Sequence, residues 1–213
     1  WNNITTEHEI IATAYKGNEF YTTTIKFTLQ PVESVKTLNE FIGTEGKRIF
    51  IQQMATVTYQ SGKYLFLKDS SGAIVVYGDG LPTFEPGDLL QNFVAEYTNY
   101  NGLHEIIPVA SSFKNAKLGN WGAPSPELIT IEDVTVANQN KYVKLNGVAL
   151  NNTAKTIGGV TLYNRFNVDL PEDGKYNVVA IISYYNTSGV TDDPASVQLY
   201  PISFEEVPEL VPS

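Results

Sequence analysis

Two stretches of the chain carry side chains suited to holding a ring-shaped ligand. The first has Tyr59, Lys63, Tyr64, Phe66 and Tyr77, and the second has Tyr97, Asn99, Tyr100 and Asn101. An aromatic face stacks on a sugar or a base, while neighbouring amides take up hydroxyl or base-edge hydrogen bonds. Trp121, inside the Gly-rich "GNWGAP", is another such ring. It reads either as a sugar-stacking platform or as an anchor wedged between two domains, and the interdomain anchor is the expectation.

Reactive chemistry is much less visible. Metal catalysis wants clustered His, Cys or carboxylates, but the two histidines, His8 and His104, stand far apart. Asp192 and Asp193 are adjacent, without the alternating oxygen ligands of a calcium loop. No G-x-S-x-G elbow holds a serine, and "SSG" at Ser70 to Gly72 reads as a hairpin turn. No Gly-rich loop leads into a helix with a lysine to cradle phosphate. Two hydrolytic carboxylates need no fixed spacing, yet loops this short leave little cleft to house them. The expectation is a chain that is not an enzyme and has no metal and no cofactor.

Composition narrows the partners. The 213 residues include 14 basic and 23 acidic side chains, a net charge of −9, and the only arginines are Arg48 and Arg165. Nucleic-acid backbones are held by positive grooves, so nucleic acid is disfavoured as a partner. With no cysteine there are no disulfides. No apolar run reaches the roughly 18–20 residues of a membrane span, and no membrane insertion is expected. The chain starts at Trp1 without a methionine, which reads as loss of an N-terminal segment that could carry an export signal.

The elements that must position these residues are strands. Aromatic residues are 12% of the chain, and Thr, Val and Ile recur in short runs. Residues 1–33 hold two strand-like runs around a Lys-Gly-Asn turn. "QPVESVKTLNEFIG" reads as a linker and one helical turn, with Thr37 as its cap. Then come "RIFIQQMATVTYQ", "KYLFLKD", "AIVVYG", "LLQNFVAEYTNY" and "LHEIIPVASSF", the last two joined by Asn101-Gly102, a strong hairpin signal. Five strands with a gap after the third match a small Greek-key barrel. In "KYLFLKD" either Tyr64 and Phe66 or Leu65 and Leu67 face its interior.

"KNAKLGNWGAPSPE" reads as an interdomain linker, and beyond it the order repeats at an offset of roughly 90 residues. "KYVKLNGVAL", "VTLYNRFNV", "PEDGKYNVVAIISYYN" and "VQLYPISFEEV" answer strands of the first copy. The expected fold class is all-β: two tandem five-stranded OB-like Greek-key barrels, residues 34–118 and 119–213, preceded by a hairpin in residues 1–33.

"YLFLKDSSGAIVVYG", a "PGD" with an apolar strand, and "YNGLHEIIP" together resemble the tandem OB-fold domains of exported proteins and lipoproteins of Gram-negative gut bacteria. The second copy departs from the pattern, with "EDG" for "PGD" and a longer "NTSGVTDDPAS" loop. "IIATAYKGNEFYTTTIKFTL" is similar to the closing strands of a chitobiase C-terminal, immunoglobulin-like domain. The resemblance implies export to the cell surface, periplasm or exterior.

OB barrels that bind ligands use strands two and three, flanked by the 1–2 and 4–5 loops. In the first copy this groove would draw on Tyr59, Lys63, Tyr77, Tyr97, Asn99, Tyr100 and Asn101. The resulting expectation is a monomeric, non-catalytic binding or spacer module whose ligand is a glycan or a partner protein. A single-strand nucleic-acid binder and a purely structural spacer are the alternatives.

Overall fold

Period-two runs of β-branched and aromatic residues, punctuated by Gly, Asn and Pro, give an all-β chain in which the helices among the described residues are single turns. The computed structural model describes residues 6–29 and 33–207. Trp1 lies outside the described residues. Among the described residues no helix is long and apolar enough to cross a membrane. The chain divides into two compact units, residues 1–33 and 34–213.

The first unit is a hairpin of β1 (Thr6–Lys16) and β2 (Glu19–Leu29), paired antiparallel throughout. Gly17 makes the turn at a φ of 63°, a conformation that costs glycine little. Ile10 pairs with Ile25, and Tyr15 with Phe20, so both faces of the ribbon carry apolar side chains.

The second unit contains two curled sheets. The first begins with β3 (Glu33–Val35) and a 3-10 turn at Leu38–Phe41. Thr37 does not cap that turn, contrary to expectation: its side chain makes no capping hydrogen bond. Asp69 caps it from a distance, as the Leu38 N–H donates to Asp69 Oδ2 at 2.7 Å. Asp69 Oδ1 meanwhile accepts from the N–H groups of Ser71 and Gly72 at 2.7 and 3.2 Å. One carboxylate therefore both closes the Ser-Ser-Gly hairpin turn and caps the start of an earlier element.

The expected strand "RIFIQQMATVTYQ" is broken into β4 (Arg48–Ile51) and β5 (Ala55–Ser61). Between them the Gln52 N–H donates to the Val35 carbonyl at 3.1 Å, and the Gln52 carbonyl accepts from the Gln91 side chain. The chain then runs through β6 (Tyr64–Lys68), β7 (Ala73–Tyr77), β8 (Asp88–Leu90), β9 (Val94–Tyr100), β10 (Leu103–Pro108) and β11 (Lys117–Asn120). "LLQNFVAEYTNY" is likewise two strands, β8 and β9, parted where Asn92 takes a φ of 59°. The sheet order is β11-β8-β5-β6-β7-β10-β9-β4-β3. Each break lets one run serve two neighbours: β4 pairs with β9 while β5 pairs with β6, which curls the sheet into a half-barrel. β11 lies within the stretch expected to be linker. It pairs with β8, because Asp88 is fully buried there and draws in Lys117 at 2.8 Å and Asn120 Nδ2 at 2.8 Å.

The second sheet comprises β12 (Glu127–Ile129), β13 (Tyr142–Asn151), β14 (Thr156–Ile157), β15 (Val160–Leu162), β16 (Gly174–Tyr184) and β17 (Val197–Glu206). Its order is β12-β13-β14-β15-β17-β16, and a further β13–β16 pairing closes the ring. The two sheets share one feature. In each, a strand pairs in parallel with one later in the chain: β7 with β10, and β15 with β17.

Each sheet encloses its own core, with Leu65, Leu67 and Ile74 in the first and Leu145, Val178 and Leu199 in the second. The alternation in β6 is thereby settled. Leu65 and Leu67 point inward, and Tyr64 and Phe66 point out.

Candidate ligand-binding cleft

The centre of the outward face of β6 and β7 is covered. Phe66, Val75 and Leu103 of the first sheet join Ile181 and Tyr200 of the second in a third apolar cluster. Phe166, from the loop after β15, enters this seam with its ring centroid 4.9 Å from that of Tyr59 and 6.0 Å from that of Phe66. Hydrogen bonds lock the seam where β10 begins. The His104 N–H donates to Gln139 Oε1 at 2.7 Å, Asn140 Nδ2 donates to the His104 carbonyl at 2.8 Å, and the Asn186 N–H donates to the Asn101 carbonyl at 2.9 Å.

At the rim of the seam a cleft of about 220 Å³ remains open. Its walls are Tyr64, Tyr77 and Tyr100 from the first sheet and Tyr184, Tyr185 and Tyr200 from the second, with Leu103, Glu105 and Arg165 completing it. The Tyr64 and Tyr77 rings lie 4.8 Å apart, and those of Tyr100 and Tyr185 6.3 Å apart. The Arg165 guanidinium lies over three rings, 4.7 Å from Tyr163, 5.1 Å from Tyr64 and 5.7 Å from Tyr200. Such cation–π contacts contribute about 0.5–2 kcal/mol each, more as water is excluded.

Glu105 and Tyr64 in the cleft have perturbed acidity. Glu105 is 5% exposed, and burial pushes its carboxyl up to about 7. Burial raises the Tyr64 phenol to about 12, the Arg165 charge opposing it. At neutral pH the cleft thus holds one cation, one carboxyl near its midpoint and a ring of phenols. That arrangement can stack a flat or apolar ring face and hydrogen-bond hydroxyls at its edge.

The residues expected to form a groove are dispersed. Tyr64, Tyr77 and Tyr100 line the cleft, the last at 53% exposure. Tyr59 packs on Phe166 inside the seam. Lys63, at the tip of the β5–β6 hairpin, pairs with Asp79 at 2.7 Å, a hydrogen bond that raises its pKa. Tyr97 is only 2% exposed, and its hydroxyl shares a hydrogen bond with His104 Nδ1 at 2.7 Å. Burial is what raises the Tyr97 phenol and lowers His104. A ring so enclosed has no face to offer a ligand. Asn99 accepts from the Gly102 N–H at 2.8 Å and so braces its own turn. Asn101 sits in that turn at a φ of 52°, as an Asn-Gly hairpin requires.

Trp121 is not an interdomain wedge. Its side chain is 78% exposed, and only its backbone N–H is engaged, by the Gly87 carbonyl at 3.1 Å. The wedge is Phe166. Neither it nor Arg165, Glu105, Tyr184, Tyr185 and Tyr200 stands out by spacing. The signal available in the sequence was the repeat itself: "SYYN" occupies the place of "YTNY", and "LYNRFN" carries one of only two arginines beside two rings.

Among the described residues no group of three or more His, Cys, Asp or Glu side chains is placed to hold a metal ion. Asp193 caps a 3-10 turn, accepting from the Ala195 N–H at 3.0 Å. Comparison with protein-family models, with curated proteins and with solved structures finds no match to this chain.

Proposed function

We propose that this chain is a non-catalytic binding module of an exported protein, and that it holds a ring of a glycan in the tyrosine cleft between two OB-type barrels. The observation that carries the reading is the cleft itself, with six tyrosines from two halves of the chain converging on about 220 Å³. Pockets for drug-sized ligands run to about 300–1,000 Å³, so this one suits a single ring of a longer chain. Glu105 is the one carboxyl in its lining, where glycoside hydrolysis uses two. The strand orders support the OB-type reading, and the acidic, arginine-poor composition supports an exported glycan binder over a nucleic-acid binder.

The test is a thermal-shift screen of the whole chain against oligosaccharides and single-stranded oligonucleotides at low salt. A ligand present at 100 times its Kd adds about 2.7 kcal/mol to the folded state and raises the midpoint visibly. The expected result is a shift with a sugar that is reduced in Tyr100→Ala and Tyr185→Ala. A shift with oligonucleotide alone would replace the reading with nucleic-acid binding. A flat panel would leave a structural spacer.

A further inference from the structure

Arg165 is an uncommon residue in an uncommon place. It is one of two arginines in a chain of net charge −9, yet it forms no ion pair with any carboxylate among the described residues. Its Nε is buried with no hydrogen-bond partner. The oxygens set against the guanidinium are phenolic, those of Tyr200, Tyr64 and Tyr163. Three rings surround it, and no carboxylate among the described residues serves as its counter-ion. A partly desolvated cation of this kind favours an anion supplied from outside, and a planar guanidinium matches a planar carboxylate through two parallel hydrogen bonds.

We propose that the cleft is selective for a sugar bearing a carboxylate, a hexuronic acid unit within an oligosaccharide. Its carboxylate sits on Arg165, its ring lies against the cleft tyrosines, and its hydroxyls are taken up by Glu105. This rests on the glycan reading above and adds the chemical class. The presence of Glu105 argues for a singly charged carboxylate over a phosphate, because a dianion would meet a second acid in the same small space.

The same geometry makes recognition pH-dependent. The groups lining the cleft with Glu105 are Arg165 and the phenols of Tyr64, Tyr77, Tyr100, Tyr184, Tyr185 and Tyr200. His104, beside it in the chain, turns to Tyr97. Glu105 is the carboxyl of this set, and burial brings its change of charge to near pH 7. Protonated, it leaves the cleft with one net positive charge. Ionised, it repels the ligand carboxylate.

The experiment is isothermal titration of the whole chain with galacturonic, glucuronic and mannuronic acid oligosaccharides, each beside its methyl ester, at about pH 6 and about pH 8. At least one acid is expected to bind roughly tenfold or more tighter than its ester at the lower pH, with the preference narrowing at the higher. Arg165→Gln abolishes the preference, and Glu105→Gln removes its dependence on pH. Esters binding as well as acids, or neutral oligosaccharides binding alone, would overturn the inference and leave the glycan reading standing. A preference that survives in Arg165→Gln would place the carboxylate elsewhere and overturn it too. No sugar binding at all would sink both. The acid-to-ester comparison uses the unaltered chain, so it decides the matter even if a variant fails to fold.

Discussion

Gly102 lies directly against the ring of Tyr184: a Cβ built on Gly102 would stand 2.0 Å from Tyr184 Cε1. The two residues belong to different sheets, and the ring cannot easily retreat. Tyr184 donates its hydroxyl to the Val190 carbonyl at 2.7 Å, and the same oxygen accepts from the Asp193 N–H at 3.1 Å. Gly102 also holds a φ of 89°, in the region where any side chain is strained. Gly102→Ala should therefore destabilise the chain by about 2–4 kcal/mol, through overpacking and backbone strain together. Urea unfolding measures this, and a loss under about 1 kcal/mol would mean the seam yields easily.

Phe166 and Trp121 make opposite predictions. Phe166, half-buried among Tyr59, Tyr64, Phe66 and Tyr200, should cost about 2–3 kcal/mol on truncation to alanine, somewhat less than a fully buried ring. Trp121→Ala should stay within about 0.5 kcal/mol, since its ring faces solvent. Calorimetry of the two variants side by side checks both. Phe166→Ala should also separate one melting transition into two, as the sheets lose their shared cluster.

Glu105 ties stability to pH. Its carboxyl is raised from 4.5 to about 7, so the folded chain holds that proton more tightly than the unfolded chain. Its stabilising contribution is complete below about pH 4.5 and is lost as pH rises through about 7. Glu105→Gln should therefore exceed the parent in stability by up to about 3 kcal/mol near pH 8, and the difference should fade toward pH 4. Denaturation midpoints of both proteins across that range give the comparison, and parallel curves would show the carboxyl to be well solvated.

Asp88 runs the other way. Its side chain is fully buried; burial works to raise its pKa, but the Lys117 ammonium and the Glu85 N–H outweigh this and lower it. Its contribution is present above the ordinary carboxylate range and is lost as pH falls through the depressed value. Asp88→Asn should cost about 1–2 kcal/mol at neutral pH, a modest figure because the Lys117 partner is half exposed. The loss should concentrate in β11, read as faster amide hydrogen exchange at Lys117 to Asn120.

Much of the fold was legible because its signals are local. Asn101-Gly102 specified its hairpin through the positive φ that both residues adopt, and "SSG" read correctly as a turn. The breaks at Gln52 and Asn92 were not legible, because a run that changes neighbours midway keeps the same alternation on both sides of the bend. Thr37 misled for a related reason. A local capping rule cannot anticipate a carboxylate arriving from residue 69.

The candidate site was legible only in part. Tyr64, Tyr77 and Tyr100 could be named as ring-bearing residues, while Tyr97 and Tyr59 share their chemistry but end buried beside His104 and packed on Phe166 respectively. By itself the sequence determined the all-β character and the hairpins, since each follows from period-two alternation and turn chemistry within a few residues. Tertiary structure alone decided that the outer face of β6 and β7 meets the second sheet, that Phe166 and not Trp121 is the wedge, and that Arg165 and Glu105 share one cleft. Alternation establishes that a strand has two faces. What covers the outer one depends on contacts between residues roughly a hundred positions apart, and no local pattern encodes those.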